Sequence, residues 1–239
     1  MNNLLLSPRL DREIKFFILD LRKAYKHDLL SVVLYGSAAS PPYSDISSPN
    51  ILVLLRSTNL SELKKVTNVV NKFKNLTPLF LTEEYILSSL DIFPIEFLDM
   101  QENYILLYGK DFLKDIRVDL KNLRFQCEYE LKAKLLSLKQ LYLGVNNRPV
   151  ALKEPLIRSF TSILHILRNV LRLKGRQPPY RKEDLLRELS VNFKIETSLW
   201  EKILAVKLKK IRINKEEMKE LFFIFVNDLE EIIRAVDVL

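Results

Sequence analysis

The chain has 239 residues, 48% of them hydrophobic, and 38 Lys and Arg against 30 Asp and Glu give a formal net charge of +8. This length is enough for one large hydrophobic core or two modest ones. The single cysteine, Cys127, excludes an internal disulfide framework, and only two histidines accompany it, so the ligands of a structural zinc site are missing. The sequence shows no signal segment and no apolar run as long as a membrane span, so we expect a cytoplasmic protein without a membrane segment.

The positive charge is concentrated in the second half of the chain. Residues 1–115 carry 13 basic and 14 acidic side chains, a net charge of −1, so residues 116–239 carry the remaining 25 basic and 16 acidic ones, a net charge of +9. This excess favours an anionic partner, whether a nucleotide, a nucleic acid or an acidic protein, because it raises the local concentration of that partner. The alternative interpretation is a set of solvated, lysine-rich helix faces.

The first half alternates helix and strand signals, which favours an α/β layer. Its strands read as short apolar runs, and its helices read as longer segments with an apolar face. The segment "YILLYG" is either a last edge strand or an apolar loop. The predicted helices cover residues 8–27, 60–75 and 83–90, and the predicted strands cover residues 29–36, 50–55, 77–82 and 93–99.

From Arg117 onward, apolar residues recur at three- and four-residue steps, which indicates a long helix. This helix should stop at Gly144, at the start of "GVNNRP". The pattern therefore predicts a domain boundary near residue 115 and an all-α bundle over residues 116–239, with Asn214 as the N-cap of its last helix. The further bundle helices are predicted over residues 155–174, 181–190, 197–209 and 214–237.

The segment "VVLYGSAASPPYSDISSPNILVLL", Val32 to Leu55, contains the most informative pattern. Its first strand ends in Gly36 and Ser37, and a strand that runs into such a turn directs backbone N–H groups and a hydroxyl toward one point, which suits a phosphate. A polar loop and a second strand follow. This order resembles the nucleotidyltransferase superfamily, the fold of DNA polymerase beta and kanamycin nucleotidyltransferase, and the helical second half resembles the bundle appended in the latter branch.

The resemblance implies an N-terminal domain with a mixed sheet and flanking helices over residues 1–115, followed by the helical bundle. It also implies binding of a nucleoside triphosphate with Mg²⁺. In such families a serine after the glycine holds the donor phosphate, which assigns this role to Gly36 and Ser37. A third acid comes from a later strand, and Glu96 and Asp99 are the catalytic candidates for that position. Strand alternation would place these two carboxylates on opposite faces, so at most one would point into the site.

The two metal-binding acids of the family are replaced in this sequence. Ser48 and Asn50 stand at the two positions, and a hydroxyl and a carboxamide are neutral, whereas Mg²⁺ prefers anionic oxygens. The metal ligands that remain for consideration are Asn50, Asp45 and Glu96, although the simpler interpretation of Asp45 is a turn residue or an Asx-type cap. The sequence thus predicts a nucleotide-binding protein whose transfer of a nucleoside monophosphate to a hydroxyl acceptor is impaired or absent.

Glu128 in the helical half has two interpretations. In kanamycin-type enzymes a glutamate of the helical domain acts as general base, and Glu128 corresponds to it by region. The alternative is an ion-pair ladder, because Arg124 and Lys132 lie four residues to either side.

The second bundle helix carries a polar stripe that consists of Arg158, Thr161, His165, Arg168 and Arg172. Within this stripe Arg168 is our candidate for binding the nucleotide phosphates, and the alternative is a solvated helix face. The spacing of Arg158 and His165 also resembles HEPN-type ribonucleases, which suggests a component of a toxin–antitoxin pair. The remaining function class is a non-catalytic module that binds a protein or nucleic acid through the basic bundle, where "KLKKIRINK" is the densest basic run.

Overall fold

A computed structural model describes residues 7–40, 48–145, 149–179, 181–193 and 196–239. The chain divides into two compact units, residues 1–119 and residues 120–239. The first unit is built around a sheet and the second is helical. None of the helices within the described ranges is both long and apolar enough to cross a membrane.

The first unit begins with helix α1, Pro8–Tyr25. Its N-cap is Ser7, whose hydroxyl accepts a hydrogen bond from the backbone N–H of Leu10, and proline follows at the first helical position, where its missing N–H costs nothing. The apolar face of α1 is buried and includes Phe17 and Leu21. This face covers one side of the sheet.

The sheet of this unit is mixed, as predicted. In the described part of the chain it has four strands, β1 (Leu29–Tyr35), β2 (Asn50–Leu55), β3 (Thr77–Leu81) and β4 (Tyr104–Gly109), in the spatial order β3-β2-β1-β4. Strand β1 runs antiparallel to β2 and β4, whereas β3 runs parallel to β2. The segment "YILLYG" is therefore a strand, and β3, which contains Pro78, lies at the opposite edge.

Helices cover both faces of the sheet. Alternation along β2 sends Ile51 and Val53 toward α1, and Leu52 and Leu54 toward the other face. The remaining helices of the unit are α2 (Leu60–Lys64), α3 (Thr67–Lys72), α4 (Glu83–Ser88) and α5 (Pro94–Glu102). The segment predicted as one helix over residues 60–75 is thus two short helices, separated by Lys65 and Val66, and Val66 has a φ of −110°.

Residues 93–99 were predicted as a strand, but Phe93 is the N-cap of helix α5 and the other six residues lie in that helix, so this prediction was wrong. Pro94 occupies the first helical position, where its fixed φ suits a helix, and within a strand it would remove a ladder hydrogen bond. Phe97 and Met100, three residues apart, are buried against the sheet. A short apolar run is compatible with the two-residue period of a strand and with the 3.6-residue period of a helix. Packing against the sheet selected the helix.

The second unit consists of helices packed around an aromatic core. Trp200 is fully buried with Phe160 and Phe225, and its indole N–H donates to Asp228 Oδ2 at 2.7 Å. Asn214 caps the last helix as predicted, with its side chain accepting from the N–H of Glu217 while the Glu217 carboxylate accepts from the N–H of Asn214. The helices are α6 (Leu120–Gly144), α7 (Lys153–Leu173), α8 (Lys182–Phe193), α9 (Thr197–Lys207) and α10 (Lys215–Asp237).

Candidate functional site

Gly36 forms a sharp turn at the end of β1. Its φ is +75°, a left-handed conformation that favours glycine, and the 3₁₀ turn Gly36–Ala39 starts there. A Cβ at this position would lie 3.7 Å from Asn50 Nδ2, an ordinary contact, so the backbone conformation and not the space requires glycine. The Gly36 N–H donates to the carbonyl of Asn103 at 3.0 Å, which ties the turn to the end of α5.

Ser37 projects from this turn, and its neighbours hold the turn in place. Ser37 is exposed, whereas Ala38, Ala39 and Ser40 are buried. The Ser40 hydroxyl donates to the Gly36 carbonyl at 3.2 Å, and the Ser40 N–H donates to the Ser37 carbonyl at 3.3 Å. The first N–H groups of a 3₁₀ turn have no acceptor inside it, and in the turn Gly36–Ala39 the N–H of Ser37 is such a group.

Asn50 is the first residue of β2 and lies beside Gly36. It pairs with Tyr35 of β1 on one side and with Thr77 of β3 on the other, and it is half-buried. Alternation places its side chain on the face of the sheet that α5 covers, the face of Leu52. Ser48, two residues earlier, is exposed, and the carbonyl of the intervening Pro49 accepts from the Thr77 N–H at 3.0 Å.

The two candidate acids lie on α5, and the prediction that they point to opposite faces of a strand was wrong. Glu96 is exposed and Asp99 is half-buried, and three residues separate them, so both lie on one flank of the helix. The helix contacts the Gly36–Ala39 turn. Phe97 and Met100 occupy the side of α5 that faces the sheet, so Glu96 and Asp99 lie beside that side of the helix.

The donors at this strand end do not fit a magnesium ion. Ser48 and Asn50 offer a hydroxyl and an amide, and Mg²⁺ is ordinarily held by carboxylates and phosphates. Within the described ranges, no three side chains of His, Cys, Asp or Glu gather closely enough to hold a metal ion. Asp45, the other predicted ligand, lies outside the described residues.

Two tyrosines that none of the sequence patterns above includes as candidates lie at the same strand end. Tyr35 pairs directly with Tyr104 of β4, and the Tyr104 hydroxyl donates to Asp111 Oδ1 at 2.9 Å. Burial and the adjacent Asp111 carboxylate raise the pKa of Tyr104 to about 12, and burial raises the pKa of Tyr35. Both phenols therefore keep their protons at neutral pH. The sequence gives a signal only for Tyr35, because this residue directly precedes Gly36.

Glu128 lies in the predicted ion-pair ladder. Its Oε2 contacts Arg124 Nη1 at 2.8 Å and its Oε1 contacts Lys132 Nζ at 2.6 Å. Lys132 also pairs with Asp237 at 3.0 Å. Both carboxylate oxygens of Glu128 are thus engaged within the helical unit.

The side chains of the polar stripe on α7 lie in two different environments. Arg168 is half-buried, and its Nε donates to the carbonyl of Pro179 at 3.2 Å. Arg158, Thr161 and His165, nearer the start of the helix, line an open groove of about 650 Å³. The structure thus places Arg168 against the chain that follows α7, and the earlier part of the stripe in a groove.

Comparison with known proteins identifies the fold. No family model matches the chain, and no curated protein matches it. Among solved structures, the chain is similar to the crystal structure of spectinomycin adenyltransferase AAD(9) from Enterococcus faecialis with ATP and spectinomycin. The TM-score is 0.57 at 12% sequence identity, and the match covers 92% of this chain and 98% of that chain. The chain therefore has a nucleotidyltransferase-like fold followed by a helical region.

Proposed function

We propose that this chain binds a nucleoside triphosphate at the turn formed by Gly36 and Ser37, and that its transfer of a nucleoside monophosphate to a hydroxyl acceptor is impaired or absent. The observation that carries the proposal is the left-handed Gly36, which ends β1 beside Asn50 and leaves Ser37 exposed. The similar adenyltransferase, which was solved with ATP, supports nucleotide binding by a protein of this fold.

The turn provides donors for phosphate oxygens. The Ser37 hydroxyl is exposed, and the N–H group of Ser37 has no acceptor inside the turn. Hydrogen bonds to a charged phosphate are stronger than those between neutral groups. Ser40 fixes the turn through two hydrogen bonds to its backbone, so these donors are preorganised before the nucleotide arrives.

The chemistry of the neighbouring residues argues against efficient transfer. Phosphoryl transfer depends on cations that neutralise the triphosphate as charge moves to the leaving group, and carboxylates hold these cations. Ser48 and Asn50 are neutral, and the acids Glu96 and Asp99 lie together on α5 rather than on the strand that carries Asn50. We therefore propose that Asn50 lies beside the turn as a neutral neighbour and has no catalytic role.

Isothermal titration calorimetry tests the proposal directly. ATP and GTP, each with and without Mg²⁺, are titrated into the wild type, into Ser37→Ala and into Ser137→Ala. Ser137 is a matched control, because it is an exposed serine on α6 whose hydroxyl donates to the carbonyl of Ala133. We expect binding that weakens in Ser37→Ala and not in Ser137→Ala, with little dependence on Mg²⁺.

Two outcomes would contradict this. Binding that requires Mg²⁺ would mean that a metal site survives and that the transfer activity deserves a direct assay. No binding of either nucleotide would contradict the proposal and favour the alternative, a non-catalytic module that binds its partner through the basic helical unit.

A further inference from the structure

Another open groove, of about 600 Å³, lies in the first unit, between the end of α1 and the edge strand β4. Its lining residues are Leu19, Arg22, Lys23, Lys26, His27 and Tyr108. Tyr108 pairs with Val32 of β1 and packs on the face of the sheet that α1 covers. Lys26 and His27 precede the start of β1, whereas Gly36 follows its end, so the groove is separate from the Gly36 turn.

The groove gathers positive charge on a unit that is nearly neutral. Residues 1–115 have a net charge of −1, yet Arg22 and Lys23 lie four and three residues before Lys26, which puts all three on one side of the end of α1. Within the described ranges, neither Arg22 nor Lys26 forms an ion pair. Lys23 Nζ is 3.7 Å from Asp20, whose carboxylate another lysine contacts more closely, at 2.7 Å. These cations are therefore available to an anionic ligand.

The ring of Tyr108 holds the guanidinium group of Arg22. The Arg22 Cζ atom lies over the ring at 5.2 Å from its centroid, a cation–π contact. The ring is on one side of the planar guanidinium group, whose N–H donors lie in its plane. Arg22 is exposed, so these donors and the side turned away from Tyr108 are accessible to a ligand. Leu19, which is 46% exposed, lies one turn earlier on α1 and adds apolar surface beside the guanidinium group.

Lys26 occupies a backbone position that suits glycine. It is the C-cap of α1, with φ 51° and ψ −115°, and its N–H donates to the carbonyl of Arg22. A positive φ disfavours any residue that has a Cβ, whereas glycine adopts it readily. The stability of this turn therefore does not explain a lysine here, and what the lysine adds is charge in the groove.

We propose that this groove binds single-stranded nucleic acid, with a base stacked on the guanidinium group of Arg22 and with backbone phosphates beside Lys23 and Lys26. Unpaired bases stack on arginine planes and aromatic rings, and basic side chains along a groove neutralise the phosphates. An acidic peptide would satisfy the charges, but its carboxylates would use only the N–H edge of the guanidinium group. The flat surface of Arg22 and Leu19 thus favours a nucleic acid over an acidic protein. This site is independent of nucleotide binding at the Gly36 turn.

The test is fluorescence anisotropy of a labelled short oligouridylate mixed with the complete chain. We expect Arg22→Lys to weaken binding about tenfold although it keeps the charge, because lysine has no plane on which a base can stack. An abasic ribose–phosphate oligomer should bind the wild type and Arg22→Lys equally. Tyr108→Leu should weaken oligouridylate binding as Arg22→Lys does, because it removes the ring that holds Arg22, whereas Tyr108→Phe keeps the ring and should bind like the wild type.

Lys26→Gly separates binding from stability. We expect oligouridylate binding to weaken about fivefold and its salt dependence to decrease, because one phosphate contact is lost. The Tm should be unchanged or raised, because glycine suits the positive φ. Lys74→Gln is the matched control, since it removes the same charge from an exposed position of the first unit that does not line the groove. It should leave binding unchanged.

Several results would overturn the proposal. Equal weakening by Lys74→Gln and Lys26→Gly would mean a general attraction between charges, and absence of oligouridylate binding would mean that no site exists. Equal binding of oligouridylate by the wild type and Arg22→Lys would exclude stacking on Arg22. Binding of oligoglutamate as tight as that of oligouridylate would make the partner an acidic protein. Loss of binding in Ser37→Ala without loss in the groove variants would assign the nucleic acid to the Gly36 turn.

Discussion

Asn50 lies directly opposite Tyr35 across the antiparallel pair β1 and β2, and its amide nitrogen is 3.7 Å from the point where a side chain on Gly36 would begin. The pairing therefore places a neutral hydrogen-bonding group beside the turn that we assign to phosphate binding. Each element of this arrangement can be tested by substitution.

Replacing Gly36 with alanine tests the turn. The added Cβ meets only an ordinary contact, so the expected cost is that of a left-handed φ, about 1–2 kcal/mol of unfolding free energy. ATP binding should weaken in addition if the turn holds the phosphates. Denaturant unfolding measures the first effect and calorimetry the second. The control is Gly144→Ala, a helical glycine with no atom within 4 Å of the new Cβ, which should be neutral or stabilising by up to about 1 kcal/mol.

Placing two acids at the start of β2 tests the reason that we propose for impaired transfer. In the double variant Ser48→Asp and Asn50→Asp, two carboxylates one residue apart would flank the buried Pro49. We expect ATP binding to become dependent on Mg²⁺, because carboxylates are the ligands that this ion prefers. Calorimetry with and without Mg²⁺ measures the change, and the pair Ser48→Ala and Asn50→Ala controls for the loss of the native side chains. Equal Mg²⁺ dependence in both pairs would contradict the explanation.

Gly109 tests the close approach of β4 to β1. A Cβ there would lie 2.0 Å from the carbonyl oxygen of Leu30, and φ is already +80°. Gly109→Ala should therefore cost about 3 kcal/mol or more, the sum of overpacking and a left-handed φ. Gly36→Ala serves as the comparison, because it introduces the φ penalty without the clash. Equal unfolding free energies for the two variants would mean that the edge strand moves freely.

Alkaline pH should destabilise the first unit. The pKa values of Tyr25 and Tyr104 are each raised from 10.0 to about 12, mainly by burial, so the folded state favours the neutral phenol. The contribution of these groups is fully present below pH 10 and is lost as the pH rises through 12. Unfolding by denaturant across this range should show a declining free energy.

The double variant Tyr25→Phe and Tyr104→Phe should lower the free energy of unfolding at pH 8 by loss of two hydrogen bonds and should decline less steeply above pH 10. Tyr129→Phe is the control, since Tyr129 is 67% exposed on α6. A slope equal to that of the wild type would show that other groups govern the alkaline loss.

Local sequence patterns predicted the parts of this molecule that depend on near neighbours. The Gly36 turn follows a continuous apolar strand, the cap at Asn214 depends on a glutamate three residues later, and the pairs around Glu128 follow from four-residue spacing. Helix α5 was predicted as a strand because its short apolar run suits either period. What selected the helix is packing of Phe97 and Met100 against Leu52, a contact between distant segments.

Local sequence patterns also could not predict which residues pair between neighbouring strands. The sequence places Asn50 fourteen residues after Gly36, and only the pairing of Tyr35 with Asn50 shows that the two are neighbours. The Tyr35 and Tyr104 pair depends in the same way on β4, which the sequence left undecided between strand and loop. The groove beside Arg158 forms where α7 meets Lys207 of α9, so the polar stripe of α7 alone did not reveal it.

Pro78, in the outer strand β3, has a consequence for self-association. Thr77 directs its N–H inward to the carbonyl of Pro49, so alternation directs the nitrogen of Pro78 outward, and proline has no hydrogen to donate there. An incoming strand from another molecule needs donors along an unpaired sheet edge in order to extend the sheet. This edge lacks one of them, so the proline protects the protein against aggregation by strand addition even though the β3 sequence "TPLFL" is largely apolar.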